Sequence, residues 1–276
     1  MYGRILVPTD GSRSAEAAAR HGLLLAEAFG ASLHVISVID DRDSGGLAEA
    51  QARDAVSTLA ERFEQDFDRS CRSAIEHGRP YEAILSYVSE NDIDLIVMGT
   101  HGRSGLSRVL LGSVTERVIR LSSVPVVAVP PHAVVRERDG YERILIPTDG
   151  SPAAATAVDH GVSIAERTGA AVRVLCVIER ERRLPPIGDP LRDQAAEVVE
   201  AVAERAPDRD VSLTTHVQPG TPHEVINNFV SAHGIDLVTM GTHGRSGLRR
   251  HLLGSVTERV LRTSDAPVLT VREDSG

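Results

Sequence analysis

Twice in this chain a run of glycines with one spacing ends in a serine. Gly99-Thr100-His101-Gly102 is followed, after nine intervening residues, by Gly112-Ser113-Val114-Thr115-Glu116. Gly241-Thr242-His243-Gly244 is followed, after the same interval, by Gly254-Ser255-Val256-Thr257-Glu258. Glycines so placed let backbone N–H groups approach oxygen atoms that a side chain would hold away. A serine three residues ahead of a glutamate reads as a capping box, which opens a helix. A helix start carries free N–H groups and a positive dipole end, and both favour phosphate. Capping alone accounts for Ser113 and Ser255. The glycine spacing ahead of them is what adds phosphate to the reading.

Three further residue pairs stand where they could do chemistry. Asp10 and Asp149, each inside Pro-Thr-Asp-Gly-Ser, are suited to accept hydrogen bonds from a nucleoside or to stabilise a tight Asp-Gly turn. His101 and His243 offer a donor to a phosphate oxygen or to the loop backbone. Arg103 and Arg245 offer a guanidinium to a terminal phosphate or to solvent. The chain contains no lysine, so all 30 of its basic residues are arginine. That excludes a Walker A loop, a protein-kinase site and a pyridoxal Schiff base, each of which needs one. The histidines are scattered, with no pair at zinc-like spacing beside cysteine or clustered carboxylates, so no metal ligands are expected.

The elements that must position these residues come in two copies. Arg4-Ile5-Leu6-Val7-Pro8-Thr9-Asp10-Gly11-Ser12 returns at 143–151 with one change, Val7 to Ile146. Residues 98–129 and 240–271 agree at 24 of 32 positions. Within each copy, short apolar runs alternate with helical periodicity in the order βαβαβαβαβ. Ser12, and Ser151 followed by Pro152, have the N-cap and first-turn residues of a helix start. Ser73 to Glu76 reads as a weak third strand. Strands separated by helices of this length call for an α/β fold: two tandem doubly wound, Rossmann-like domains, each a five-stranded parallel sheet with helices on both faces. Ligands bind such sheets where the winding reverses, here expected between the first and fourth strands, from which both unusual loops depart. The expected domains are 1–132 and 140–276, with the proline- and charge-bearing segment 133–139 as linker.

Composition agrees with two ordinary globular cores, 41% of residues being hydrophobic. No apolar stretch approaches the ~18 residues of a membrane span. Met1-Tyr2-Gly3-Arg4-Ile5 runs into the first strand without an apolar leader, which suggests a cytoplasmic protein. A formal charge of -9 argues against nucleic acid or membrane as the main partner. Cys71 and Cys176 are too few for a disulfide framework.

The pattern Gly-x2-Gly-x9-Gly-Ser, intact twice behind two Pro-Thr-Asp-Gly-Ser openings, resembles the universal stress protein family in its tandem two-domain form, and the resemblance covers nearly the whole chain. It implies an adenine nucleotide in each domain, ATP or its ADP or AMP forms, with Mg2+ arriving on the phosphates. The implied contacts in the first copy are Pro8, Thr9, Asp10 and Val38 for adenine and ribose. Met98, Gly99, His101, Gly102, Arg103, Gly112, Ser113, Val114 and Thr115 follow around the phosphates. In the second copy they are Pro147, Thr148, Asp149 and Val177, then Met240, Gly241, His243, Gly244, Arg245, Gly254, Ser255, Val256 and Thr257.

The function expected is a non-catalytic or barely catalytic stress-response regulator whose nucleotide occupancy modulates assembly or the binding of a regulatory protein partner. No residue is clearly placed to activate water, and no lysine is present to stabilise a transferred phosphoryl group. A slow ATPase or nucleotidyl-transfer enzyme on the same fold is the alternative, and an interaction module with empty pockets a third. The valine-rich final strands, Val126 to Val129 and Val268 to Val271, are edges that invite pairing. They are expected to join the copies as an intramolecular pseudo-dimer or to support a homodimer.

Overall fold

The computed structural model describes residues 1–43, 46–67, 71–102, 111–133, 140–179, 188–204, 211–244 and 253–273. The chain divides into two compact units, Met1–Val134 and Val135–Gly276. In the first, β1 (Arg4–Pro8), α1 (Arg13–Phe29), β2 (Ser32–Ile39), α2 (Gly46–Phe67), β3 (Cys71–His77), α3 (Pro80–Glu90), β4 (Leu95–Gly99), α4 (Ser113–Leu121) and β5 (Val126–Val129) alternate along the chain. In the second, β6 (Arg143–Pro147), α5 (Pro152–Thr168), β7 (Ala171–Ile178), α6 (Pro190–Glu204), β8 (Leu213–Pro219), α7 (Pro222–His233), β9 (Leu237–Gly241), α8 (Ser255–Thr263) and β10 (Val268–Val271) repeat the order. The weak third strand is thus longer than its apolar pattern suggested. It is a half-exposed strand, and its polar residues hide it from a hydrophobicity reading.

The strands of the first unit lie in the order β3-β2-β1-β4-β5 and those of the second in the matching order β8-β7-β6-β9-β10, all paired in parallel. The winding reverses between β1 and β4, and between β6 and β9, as expected of a doubly wound sheet. Pairing at these two junctions is brief. Ile5 faces Leu95 and Leu6 faces Ile96, and the matching rungs are Ile144 with Leu237 and Leu145 with Val238. Beyond these rungs the strands part, leaving a crevice at their carboxyl ends. Helices α1 and α2 pack on one face, α3 and α4 on the other.

The central strands are buried from both sides: Ile5, Leu6, Val7, Leu95, Ile96 and Val97 are fully enclosed, as are Ile144, Leu145, Ile146, Leu237 and Val238. Each such side chain contributes about 1.5–3 kcal/mol by leaving water. Helix α1 approaches closely because its inner face is small: Ala15, Ala18, Ala19 and Gly22. A Cβ on Gly22 would come within 2.6 Å of the Val7 side chain. Ser12 caps α1 by accepting from the Ala15 N–H, and Gly30 closes it in the left-handed conformation; Ser151 and Gly169 do the same for α5. Cys71 and Cys176 are free thiols. No helix among the described residues is long and apolar enough to cross a membrane.

Candidate functional site

Both crevices are floored by the loop that leaves the first strand of the unit. The left-handed φ of 77° at Gly11 and at Gly150 makes the tight turn. Within it the Thr9 hydroxyl accepts from the Gly11 N–H, and Asp10 Oδ1 accepts from the Ser12 N–H at 3.0 Å. Thr148 and Asp149 repeat both bonds. Asp10 therefore does stabilise its turn, through Oδ1. The other, Oδ2, faces Gly102, where a Cβ would stand 2.9 Å from it; Asp149 Oδ2 stands 2.7 Å from the corresponding point on Gly244. Asp and glycine loop, more than 90 residues apart in sequence, meet across the crevice.

The second loop is held by its own backbone. In the first unit the Thr100 N–H donates to the Val129 carbonyl, and the Gly112 N–H donates to the Thr100 carbonyl at 2.7 Å. In the second unit Thr242, Val271 and Gly254 make the same two bonds. Ser12 and Ser151 reach across from the first loop to the carbonyls of His101 and His243. The threonines at 100 and 242 engage Nδ1 of the neighbouring histidine at 2.9 Å. The Nε2 atoms of His101 and His243 are buried without a hydrogen-bond partner. Burial, and secondarily Arg272, hold the His243 pKa below the usual histidine range, so this ring is neutral at neutral pH.

The capping-box expectation for Ser113 and Ser255 is corrected here. The N-caps are Gly112 and Gly254, each with extended backbone and no side-chain cap hydrogen bond, and the serines are the first helical residues. The glutamates that were to reach back pair forward instead: Glu116 with Arg120 at 2.9 Å, Glu258 with Arg262 at 2.6 Å. An i,i+4 arginine in a last turn is a nearer partner than the backbone of a glycine cap. The first-turn N–H groups of Ser113, Val114 and Thr115, and of their counterparts Ser255, Val256 and Thr257, thus receive no side-chain acceptor from their own cap. The hydroxyls of Thr115 and Thr257 are committed to the carbonyls of Gly99 and Gly241 at 2.7 and 2.8 Å. What these threonines can offer a ligand is their N–H.

The glycines also divide. A Cβ on Gly99 would fall 2.7 Å from the backbone of Ser14, and one on Gly241 2.8 Å from that of Ala153. These two are required by helix packing whatever the ligand. Gly102 and Gly244 are exposed and, among the described residues, abut an aspartate carboxylate, so theirs is the close approach a ligand would use.

In the second unit the crevice is a cleft of about 490 Å³, within the range of small-molecule sites. It gathers Pro147, Thr148, Asp149, Val177, Met240, Gly241, His243, Gly244, Gly254, Ser255, Val256 and Thr257. Arg103 and Arg245 lie outside the described residues. Sequence reasoning missed the other end of the cleft, where Ile178, Leu191, Ala195, Pro222 and Ile226 form an apolar chamber between α6 and α7, with Glu179 and Gln194 beside it.

Over that chamber the sheet leaves main-chain groups exposed. The ladder from β7 to β6 ends where the Thr148 N–H donates to the Leu175 carbonyl, while the Ile178 carbonyl serves the β8 side by accepting from Gly220. Alternation along a parallel strand turns the N–H and C=O of Val177 toward the side that β6 has vacated. In the first unit Thr9 with Ile36, and Gly78 with Ile39, set the same alternation and turn Val38 into the gap. Among the described residues no group of three His, Cys, Asp or Glu side chains is placed to hold a metal.

The sequence profile of the universal stress protein family matches residues 1–130 and 140–272. A universal stress protein of Mycobacterium tuberculosis is 29% identical over 98% of this chain and 97% of its own length. One from Methanocaldococcus jannaschii is 32% identical over 51% of this chain and 89% of its own length. Among solved structures, a universal stress protein from Archaeoglobus fulgidus superposes with a TM-score of 0.77 over 99% of this chain and 97% of that one, at 24% identity, a likeness of fold.

Proposed function

The chain belongs to the universal stress protein family, and from that premise we propose that each unit binds one adenine nucleotide and that occupancy regulates assembly or the binding of a protein partner in a stress response. The observation that carries the reading is the glycine-capped helix start at the crevice of each unit. A helix whose first N–H groups lack a side-chain cap, at the point where the sheet reverses, is an anion site by construction.

The cleft has two ends of different chemistry, and a nucleotide has the same two. The phosphates would lie against the N–H groups of Ser255, Val256 and Thr257, with the Gly244 backbone beside them. Asp149 Oδ2 is an acceptor suited to a ribose hydroxyl. The apolar chamber takes the base, whose N1 acceptor and N6 donor match the N–H and C=O that Val177 turns into the gap. Asp10, Val38, Gly102 and the 113–115 helix start have the corresponding roles in the first unit. A divalent ion such as Mg2+ would be held by the phosphates and water, as that small hard cation prefers.

Titration calorimetry of the full chain with ATP and magnesium tests the reading. Two sites per chain are expected, with a thermal stabilisation that grows with ATP concentration. Absence of both heat and thermal shift at millimolar ATP overturns it.

A further inference from the structure

The proposed nucleotide reading accounts for both ends of the cleft but gives no role to Gln194, which lines the cleft from the second turn of α6. We infer that Gln194 in the second unit, and Gln51 in the first, select adenine by reading the base edge that the main chain of β7 or β2 leaves free; this rests on the nucleotide reading above.

The correspondence of the two glutamines follows from burial. Helix α6 buries Ala195, Val199 and Val202, and α2 buries Ala52, Val56 and Leu59. Placing these core positions on one another sets Gln194 on Gln51. In that register the first two turns of the helices differ almost throughout: Leu47, Ala48, Glu49 and Ala50 stand against Pro190, Leu191, Arg192 and Asp193. The identical residues are the buried alanine and the glutamine before it. The alanine is explained by the core. The glutamine is exposed in both units, outside the core that the alanine serves.

Its chemistry fits the part of the base still unread. A carboxamide presents one acceptor and two donors. With the N1 and N6 edge facing the strand, adenine turns N7, an acceptor, and its second N6 hydrogen toward α6. A glutamine pairs with these two groups at once. Guanine shows O6 and N7 there, both acceptors, so the amide oxygen would meet an oxygen. The other polar side chain at this end is acceptor-only, Glu179, and its counterpart Asp40 is already held by Arg42 at 2.7 and 3.0 Å. The glutamine is the reader that both units can use.

The test is calorimetry of the full-length chain with ATP, GTP and tripolyphosphate, wild type against the Gln51→Leu, Gln194→Leu double variant, with thermal melting to confirm an unchanged fold. ATP should weaken about tenfold in the variant, while GTP and tripolyphosphate bind as before. An ATP to GTP ratio equal in the two proteins, with ATP still bound, overturns the role of the glutamines and leaves the nucleotide site standing. A wild-type chain that takes up neither ATP nor tripolyphosphate overturns the nucleotide reading and this inference together.

Discussion

Of the helices that begin around each crevice, two begin differently. Helix α5 is sealed: Ser151 fills its N-cap, accepts from Ala154 and is itself buried, with Pro152 preset for the first turn. Helix α8 starts on a glycine cap that makes no side-chain cap hydrogen bond, with Ser255 exposed. The same division separates α1 from α4. A glycine cap costs only about a few tenths of a kcal/mol against serine, so the apo fold gives up little by leaving this start open. The sealed start positions the sheet and the aspartate loop. The open start has donors to give.

Predictions that would break or sharpen this contrast begin with the sealed helix. His21 on α1 is buried, and burial together with nearby Arg20 lowers its pKa to about 4. In the unfolded chain it titrates near 6.5, so the unfolded state takes up a proton first. Stability should therefore be intact above pH 6.5 and fall as pH drops toward 4, by up to about 3 kcal/mol in total. Urea midpoints across that window, compared with His21→Leu, measure the slope; the variant should lose most of it. Its counterpart on α5, His160, is partly exposed.

Closing the open start is the converse experiment. At Gly254 the backbone has φ of -63°, which any residue adopts, and a Cβ would meet the Thr242 carbonyl at 3.2 Å. Gly254→Asp would cap α8 and place a negative charge where a phosphate is proposed. Affinity of the second unit for ATP should fall about 100-fold, with a melting temperature within a few degrees of wild type. Asp149→Asn keeps the acceptor for the Ser151 N–H but removes the charge facing the ribose. About a tenfold loss of affinity with unchanged stability is expected by calorimetry and denaturation. The smallest effect is that of Ser151→Ala, which should lower unfolding free energy by about 1 kcal/mol and leave ATP affinity within a factor of two or three.

Much of this was legible in the chain because the repeat speaks twice. Pro152 behind Ser151 identifies the start of α5, and by alignment that of α1. The parallel sheet followed from strands separated by helices, and the reversal was expected between β1 and β4, the strands that both unusual loops leave. The misreading of Ser113 has a local cause: a Ser-x-x-Glu pattern looks the same whether the serine is the cap or the first helical residue, and a glycine ahead of it is nearly as good a cap. Gly99 and Gly102 also look alike in sequence. Only their neighbours, the backbone of Ser14 and the carboxylate of Asp10, separate a packing glycine from one that opens a loop. The base end of the cleft was silent because Ala195, Pro222 and Ile226 are ordinary helix residues gathered from distant segments. Gln51 and Gln194 stayed unmatched because the chain between β7 and α6 is longer than that between β2 and α2, and only burial restores the register.

The central claim is that each open helix start holds the phosphates of one adenine nucleotide. Native mass spectrometry of the full chain titrated with ATP and magnesium tests it most directly. Two nucleotides should bind per wild-type chain and one per Gly254→Asp chain. Equal stoichiometry in the two proteins, with affinity unchanged, would contradict the claim.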